Sequence, residues 1–173
     1  VVNESGRILY DGEIGFEGTG PFEIDDTLIE GPFVNILTEN GATISFKTNT
    51  EIRASIEVND KNFRSRKGYS HEIEINGLEP DTEYNYTVNY GKNQQKYSFR
   101  TAPEPGSRTA FTFSYASDSR SGSGGGERDL GGVNAYIMKK ILSLSTMKGA
   151  RFMQFTGDMI TGYLSYLGEM ELE

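Results

Sequence analysis

Short segments in which apolar and polar residues alternate fill the chain from about Pro32 to Thr101. The alternating segments are residues 33–37, 42–47, 52–58, 71–75, 84–90 and 97–101. Turn-forming residues separate them, among them Asn40-Gly41, Asn76-Gly77 and Pro80-Asp81. Alternation sends successive side chains to opposite faces of a strand, so that one face is buried and the other meets water. Short strands at this spacing predict an antiparallel β-sandwich.

Acidic residues concentrate at the start of the chain. The 173 residues carry a net charge of −8, and residues 1–30 alone hold −7, because that segment has eight acidic residues and a single arginine. We expect this acidic leader, residues 1–30, to be solvated or loosely docked. Calcium binding by Asp25, Asp26 and Glu30 is an alternative use of the same carboxylates.

The rest of the composition excludes several classes of protein. The chain has no cysteine, which rules out a disulfide framework and a thiolate zinc site. No stretch reaches the roughly 18 apolar residues of a membrane span. The basic residues form no stripe of the kind that binds nucleic acid. A small basic cluster predicts an exposed hairpin tip instead, and it consists of Lys61, Arg64, Arg66 and Lys67.

The segment from Gly77 to Tyr84 carries the sharpest local signal of the strand-rich region. Pro80 and Asp81 set a turn, and Tyr84 follows near the start of a strand, where its hydroxyl can bond back to that turn. Together with residues 97–103, this segment resembles the last strands of a fibronectin type III domain. The single histidine, His71, lies on a strand of the same module, and we expect it to be structural, at the surface or at a corner.

A different pattern follows the proline-rich linker, residues 103–108. Apolar residues predict a strand at 109–116 and another at 151–156, with an amphipathic helix at 133–147 between them. The helix has Val133, Ile137, Ile141 and Leu144 on one face and is ended by Lys148-Gly149, and residues 163–172 predict the start of a second helix. Near-continuous apolar strands are typical of parallel strands covered on both faces. The region therefore predicts a βαβ unit.

Each of the two apolar strands ends at an aspartate, Asp118 after the first and Asp158 after the second. Parallel strands lie about 4.8 Å apart, and open α/β sheets bind their ligands at the carboxyl edge of the strands. Two carboxylates at that edge suit metal ions, and oxygen ligands are compatible with iron, manganese, zinc or magnesium. On these residues alone, an equally simple hypothesis is that both aspartates cap the loops that follow them.

The order of these parts resembles purple acid phosphatases and related metallophosphoesterases. The resemblance rests on the fibronectin-like sandwich, the linker, the Phe-x-Phe-x-x-x-x-Asp segment that ends at Asp118, and Gln154-Phe-Thr-Gly-Asp158. It implies a fibronectin III-like β-sandwich followed by the start of an α/β metallophosphoesterase domain, an incomplete βαβ. It further implies that Asp118 binds one metal and that Asp158 bridges two ions of iron, zinc or manganese in a full-length parent.

The same resemblance implies an activity and a location. The parent would hydrolyse phosphomonoesters or small phosphodiesters, in a secreted or periplasmic setting. The family's later asparagine and histidine ligands are not among these residues, so we expect the 173 residues to be inactive by themselves. The first motif also departs from the family, because it reads Ser117-Asp118-Ser119-Arg120, and Thr161 stands where the family has a metal-binding tyrosine. Arg120 is either a contact for a phosphate group or a solvated loop arginine.

Two other functions fit the same residues. One is a non-catalytic binding or adhesion protein, with a fibronectin-like module ahead of a degenerate α/β domain. The other is a one-metal or magnesium phosphatase, for which Ser119 is the candidate nucleophile. In each case the predicted organisation is an acidic segment at 1–30, a sandwich at 31–102, a linker at 103–108 and an α/β region at 109–173. We expect a phosphate-ester substrate as the partner, and we expect neither nucleic-acid binding nor a membrane span.

Overall fold

The computed structural model describes residues 14–119, 129–130 and 133–159. The chain divides into two compact units between Thr109 and Ala110. Arg120, Thr161, the helix expected at 163–172 and the first thirteen residues of the acidic leader lie outside the described residues. No helix in the described part is long and apolar enough to span a membrane.

Residues 14–109 fold into a β-sandwich preceded by a small hairpin. The described strands are β1 (Phe16–Glu17), β2 (Glu23–Ile24), β3 (Leu28–Asn35), β4 (Gly41–Ile52), β5 (Ala54–Val58), β6 (Lys61–Arg64), β7 (Gly68–Asn76), β8 (Glu83–Tyr90) and β9 (Asn93–Arg100). One sheet has the order β3-β4-β7 and the other has the order β6-β5-β8-β9, and every neighbouring pair is antiparallel. This topology confirms the predicted sandwich.

The core of the sandwich consists of the alternate residues that the sequence pattern turns inward. Along β7 and β8, buried and exposed residues follow each other in strict alternation over most of the strand. Ile44, Ile56, Ile75 and Val88 are fully buried. Burying a side chain of this size stabilises the fold by roughly 1.5–3 kcal/mol. The two sheets are therefore held together mainly by β-branched and aromatic side chains.

The predicted tyrosine corner is present. The backbone N–H of Glu79 donates a hydrogen bond to the Tyr84 hydroxyl at 2.8 Å, and the Tyr84 side chain is buried. The ring packs among the core residues while its hydroxyl satisfies a backbone group of the preceding turn.

The basic cluster differs from the expected hairpin tip, because Lys61 and Arg64 lie within strand β6. The tip is the two-residue turn Asn59-Asp60, where both residues have positive φ, 47° and 60°. Two left-handed residues between antiparallel strands form the turn type that matches the twist of a hairpin, and Asn and Asp tolerate that conformation. β6 is an edge strand, and charged side chains on such an edge oppose pairing with other chains.

The end of the acidic leader is docked to the sandwich. The Asp25 carboxylate contacts the side chains of Asn93 and Lys92, and the Asp26 carboxylate accepts a hydrogen bond from the Thr50 hydroxyl. The pKa of Asp25 lies below its ordinary value, mainly because of the hydrogen bond from Asn93. The first strand of the sandwich, β3, starts three residues before the expected boundary at residue 31.

The second unit has the predicted βαβ connectivity. Its described elements are β10 (Thr112–Ala116), β11 (Asp129–Leu130), β12 (Val133–Asn134), α1 (Ala135–Met147) and β13 (Ala150–Phe155). β10 and β13 pair in parallel, with Ala116 opposite Phe155, and α1 contacts β13. Gly149 follows the helix with a positive φ of 72°, as the expected stop signal requires.

The expectation that both parallel strands are covered on both faces is wrong for the described residues. Phe111, Phe113 and Phe152 are about half exposed, whereas Ala116 and Phe155 are more covered. A single helix can cover only one face of a two-stranded sheet, so the other face stays open in this part of the chain. The apolar face predicted for helix α1 is likewise not fully buried, since Ile137 and Leu144 are exposed and Ile141 is half-buried.

Candidate metal centre

Asp118 and Asp158 follow the two parallel strands at the same edge of the sheet. β10 ends at Ala116 and β13 ends at Phe155, and these two residues lie opposite each other. Each aspartate therefore stands two or three residues beyond the carboxyl end of a paired strand. This is the edge at which open α/β sheets place their ligands.

Both aspartates have the left-handed backbone conformation, with φ of 58° at Asp118 and 49° at Asp158. This conformation costs a non-glycine residue roughly 1–2 kcal/mol, although Asp and Asn adopt it more readily than other residues. Residues held in sparsely populated conformations cluster at functional sites. The two positions share a residue type, a place after a strand and an uncommon backbone angle.

Hydrogen bonds hold the two loops against each other. The backbone N–H of Asp118 donates to the carbonyl oxygen of Gly157 at 3.1 Å, and the Ser119 hydroxyl donates to the carbonyl oxygen of Met159 at 2.7 Å. The backbone N–H of Thr156 donates to the carbonyl oxygen of Ala116 at 3.2 Å. These bonds bring the loop that carries Asp118 next to the loop that carries Asp158.

The hydroxyl of Ser117 holds the Asp118 carboxylate, donating to its Oδ2 at 2.6 Å. This short bond to a charged acceptor orients the carboxylate. An oriented carboxylate is what a hard or borderline metal ion needs from a protein ligand.

The two carboxylates fit part of a metal centre and not a whole one. Among residues 14–119, 129–130 and 133–159, no group of three or more His, Cys, Asp or Glu side chains is arranged to hold a metal ion. The chemistry and placement of Asp118 and Asp158 suit iron, zinc or manganese, but further ligands are needed to complete the coordination of such ions.

The structure gives Ser117 and Ser119 contacts that the sequence analysis did not predict. Ser119 is buried, and its hydroxyl donates to the carbonyl oxygen of Met159. The hypothesis that Ser119 is a nucleophile stays a prediction. The signal for both residues was the Ser-Asp-Ser triplet, since short hydroxyl side chains next to an aspartate often bond to it or to nearby backbone.

The other candidate ligands of the sequence are engaged elsewhere. Asp25 and Asp26 bind the tip of the β8–β9 hairpin and the Thr50 hydroxyl, and Glu30 forms an ion pair with Lys47 at 2.7 Å. These three carboxylates therefore have partners within the fold, and the hypothesis of a calcium site stays a prediction. Arg120, the candidate phosphate contact, lies outside the described residues.

Residues 25–101 match the family model described as "Purple acid Phosphatase, N-terminal domain". The matched segment contains the end of the docked leader and all the strands from β3 to β9. Over this segment the chain is similar to the N-terminal domain of purple acid phosphatases. The match ends before Asp118 and Asp158, so the similarity rests on the sandwich and not on the candidate metal ligands.

Similarity to solved structures is weaker. The "Central Fibronectin-III array of RIM-binding protein" is 26% identical over 42% of this chain, with a TM-score of 0.37. The chain spans 31% of the length of that structure. No curated protein matches the chain.

Proposed function

We propose that this chain is the N-terminal portion of a dinuclear-metal phosphoesterase that hydrolyses phosphomonoesters or small phosphodiesters. The observation that carries the proposal is the match of residues 25–101 to the purple acid phosphatase N-terminal domain, followed along the chain by two paired parallel strands, each with an aspartate two or three residues after its end. The family resemblance also supports a secreted or periplasmic location for the parent protein.

In this proposal the described residues hold and orient metal ions. Asp118 and Asp158 would hold the ions, with the Asp118 carboxylate oriented by the Ser117 hydroxyl. The hydrogen bonds from Asp118 to Gly157 and from Ser119 to Met159 would keep the two carboxylates in register as the ions bind. When bound, the ions would polarise the phosphoryl group and stabilise the charge that develops on its oxygens.

The test is a phosphatase assay on the full-length protein that carries this chain. p-Nitrophenyl phosphate and bis-p-nitrophenyl phosphate represent the monoester and diester classes, assayed with iron, zinc and manganese. Loss of a supporting residue around a metal ligand already costs about 10–100-fold in activity, so Asp118→Asn and Asp158→Asn should each lower kcat/KM by more than about 100-fold.

Asp60→Asn is the matched control, because Asp60 also has positive φ but lies in the β5–β6 turn of the sandwich. It should retain the activity of the unchanged protein. A full-length protein that is inert with every metal tried would contradict the proposal and favour a binding or adhesion function for the sandwich.

A further inference from the structure

His71 lies inside the sandwich, where the metal-centre proposal gives it no role. Its side chain is 2% exposed, and its ring stacks on Phe46 with the ring centres 4.8 Å apart. Its Nε2 lies 3.1 Å from the Thr48 hydroxyl, and its Nδ1 lies 2.7 Å from the Ser65 hydroxyl. The expected structural role fits these contacts, whereas the expected alternative of a surface position is wrong, since the side chain is buried and both ring nitrogens have partners within the fold.

The imidazole connects the two sheets of the sandwich. Thr48 lies on β4, in the same sheet as His71 on β7. Ser65 follows β6 in the other sheet, and its hydroxyl accepts a hydrogen bond from the backbone N–H of Ala54 on β5 at 3.1 Å. We name this chain of hydrogen bonds, from Thr48 through His71 and Ser65 to Ala54, the His71 bridge.

The hydroxyl groups assign the tautomer of the neutral ring. The Thr48 hydroxyl donates to the carbonyl oxygen of Thr50 at 2.9 Å, so it accepts from the Nε2–H of His71. The Nδ1 of His71 is then the acceptor for the Ser65 hydroxyl. In this arrangement the ring satisfies both nitrogens while it remains uncharged.

A protonated ring can keep these hydrogen bonds but gains no opposite charge. The Ser65 hydroxyl can turn to the carbonyl oxygen of Ala54, 3.2 Å away, and accept from a protonated Nδ1. Both partners of the ring are neutral hydroxyls, however, and burial lowers the pKa of His71. An ionised group in such surroundings is costly, because two neutral hydroxyls replace only part of its hydration.

The charged groups around the bridge are exposed or paired with one another. Glu30 on β3, Lys47 on β4 and Glu72 on β7 line a surface pocket of about 240 Å³ with His71, and Glu30 is paired with Lys47. On the side of the other sheet, next to Ala54 and Ser65, the charged groups are exposed, and they are Arg53, Arg64, Arg66 and the Lys67–Glu51 pair. The titratable group buried on this side is the phenol of Tyr90, which lies opposite Ala54.

We propose that the His71 bridge is a proton-sensitive connection between the two sheets, which the neutral imidazole holds closed and which protonation loosens. The geometry gives the sign of the effect. In the unfolded chain the ring has its ordinary pKa near 6.5, whereas in the fold its pKa is lower. Below about pH 6.5 the unfolded state therefore binds more protons than the folded state. As the pH falls through this range, the fold loses stability, and the equilibrium constant for unfolding rises by up to tenfold per pH unit.

The first test uses the fact that His71 is the only histidine in the chain. The imidazole nitrogen signals of the 15N-labelled chain in NMR spectra therefore need no assignment. At about pH 7.5 they should show the neutral Nε2–H tautomer, and their titration midpoint should lie below that of the same chain unfolded in urea. Hydrogen-exchange protection of the β5 and β7 amides should fall as the ring titrates. A midpoint equal to or above that of the unfolded chain would overturn the proposal.

A second test places a negative charge beside the ring at Ser65, which is partly exposed. Ser65→Asp places a carboxylate beside Nδ1 and should raise the histidine midpoint above that of the unfolded chain, so that the histidine contribution to stability increases between about pH 7.5 and 5.5. Ser65→Ala is the matched control. It removes the hydroxyl, and its stability should still fall on acidification, as in the unchanged chain. If His71 has a purely structural role, the stability of both variants should change with pH in the same direction. That result would overturn the proposal, even where the overall stability of a variant is reduced.

Discussion

At the scale of single residues, the Tyr84 hydroxyl is the clearest case of one group that fixes a turn. Tyr84→Phe keeps the buried ring and removes the acceptor of the Glu79 N–H. We expect the free energy of unfolding to fall by about 1 kcal/mol, because a partly buried donor loses its partner. The midpoint of urea unfolding measures the change.

Tyr69→Phe is the control for this substitution, since the Tyr69 side chain is 58% exposed and the same atom is removed. It should leave the midpoint nearly unchanged. Equal losses for the two variants would show that the hydrogen bond at the corner contributes nothing of its own.

Gly91 makes room for the docked leader at the tip of the β8–β9 hairpin. A Cβ atom at this position would lie 1.9 Å from the Oδ2 of Asp26, and the residue also has a positive φ of 55°. Gly91→Ala should therefore lower the melting temperature through backbone strain and through displacement of the Asp26 side chain.

Gly106 separates the two causes. It has a positive φ of 82°, but a Cβ there would meet nothing within 4 Å. Gly106→Ala carries only the strain, roughly 1–2 kcal/mol for a left-handed residue. A melting temperature lowered as much by Gly106→Ala as by Gly91→Ala would mean that Asp26 is not held where the structure places it.

At the scale of secondary-structure elements, one face of the β10–β13 pair is aromatic and open. The rings of Phe113 and Phe152 stack with their centres 5.4 Å apart, and Phe111 lies 6.1 Å from each of them. Contiguous exposed apolar surface is uncommon on soluble proteins and binds apolar probes. Phe113→Ser should thus reduce the fluorescence of the dye ANS bound to the chain.

Phe33→Ser is the comparison for the aromatic face, because Phe33 is similarly exposed and lies on β3. It should change the dye signal less than Phe113→Ser does. The reverse order would show that the described face does not act as a continuous apolar surface.

The sequence predicted those elements whose signal is local. Alternation gave the strands of the sandwich, the Pro80-Asp81 turn gave the tyrosine corner, and Lys148-Gly149 gave the end of helix α1. Strand β6 was missed because its side chains are mostly polar and exposed, so alternation is hard to see in it. Its turn was recognisable only as an Asn-Asp pair, which many loops also contain.

Burial was harder to predict than secondary structure. Nothing near His71 in the sequence reveals that hydroxyls from β4 and from the segment after β6 meet its ring, because these contacts depend on the packing of two sheets. The apolar strands β10 and β13 were expected to be covered because apolar runs usually are. Whether they are covered depends on the elements that pack on them, and sequence periodicity does not specify these. Likewise, the sequence predicted that Asp118 and Asp158 lie at one edge of the sheet, but it did not predict that both have a left-handed backbone conformation.

At the scale of the whole molecule, the two units carry different kinds of support. The family match covers residues 25–101 and so supports the sandwich alone. The candidate metal ligands lie in the second unit, where the support is the parallel pairing, the matched positions of the two aspartates and the bonds between their loops. We therefore propose that a sandwich similar to the purple acid phosphatase N-terminal domain is joined to a metal-binding α/β region.

Metal analysis of the full-length protein that carries this chain tests that claim most directly. The protein would be purified with iron, zinc and manganese supplied, beside Asp158→Ala and the control Asp60→Asn, and bound metal would be measured by plasma mass spectrometry. We expect about two metal ions per chain, retained in the control and lost when Asp158 is replaced. A protein that binds no metal under these conditions, or an Asp158→Ala variant that keeps its full metal content, would contradict it.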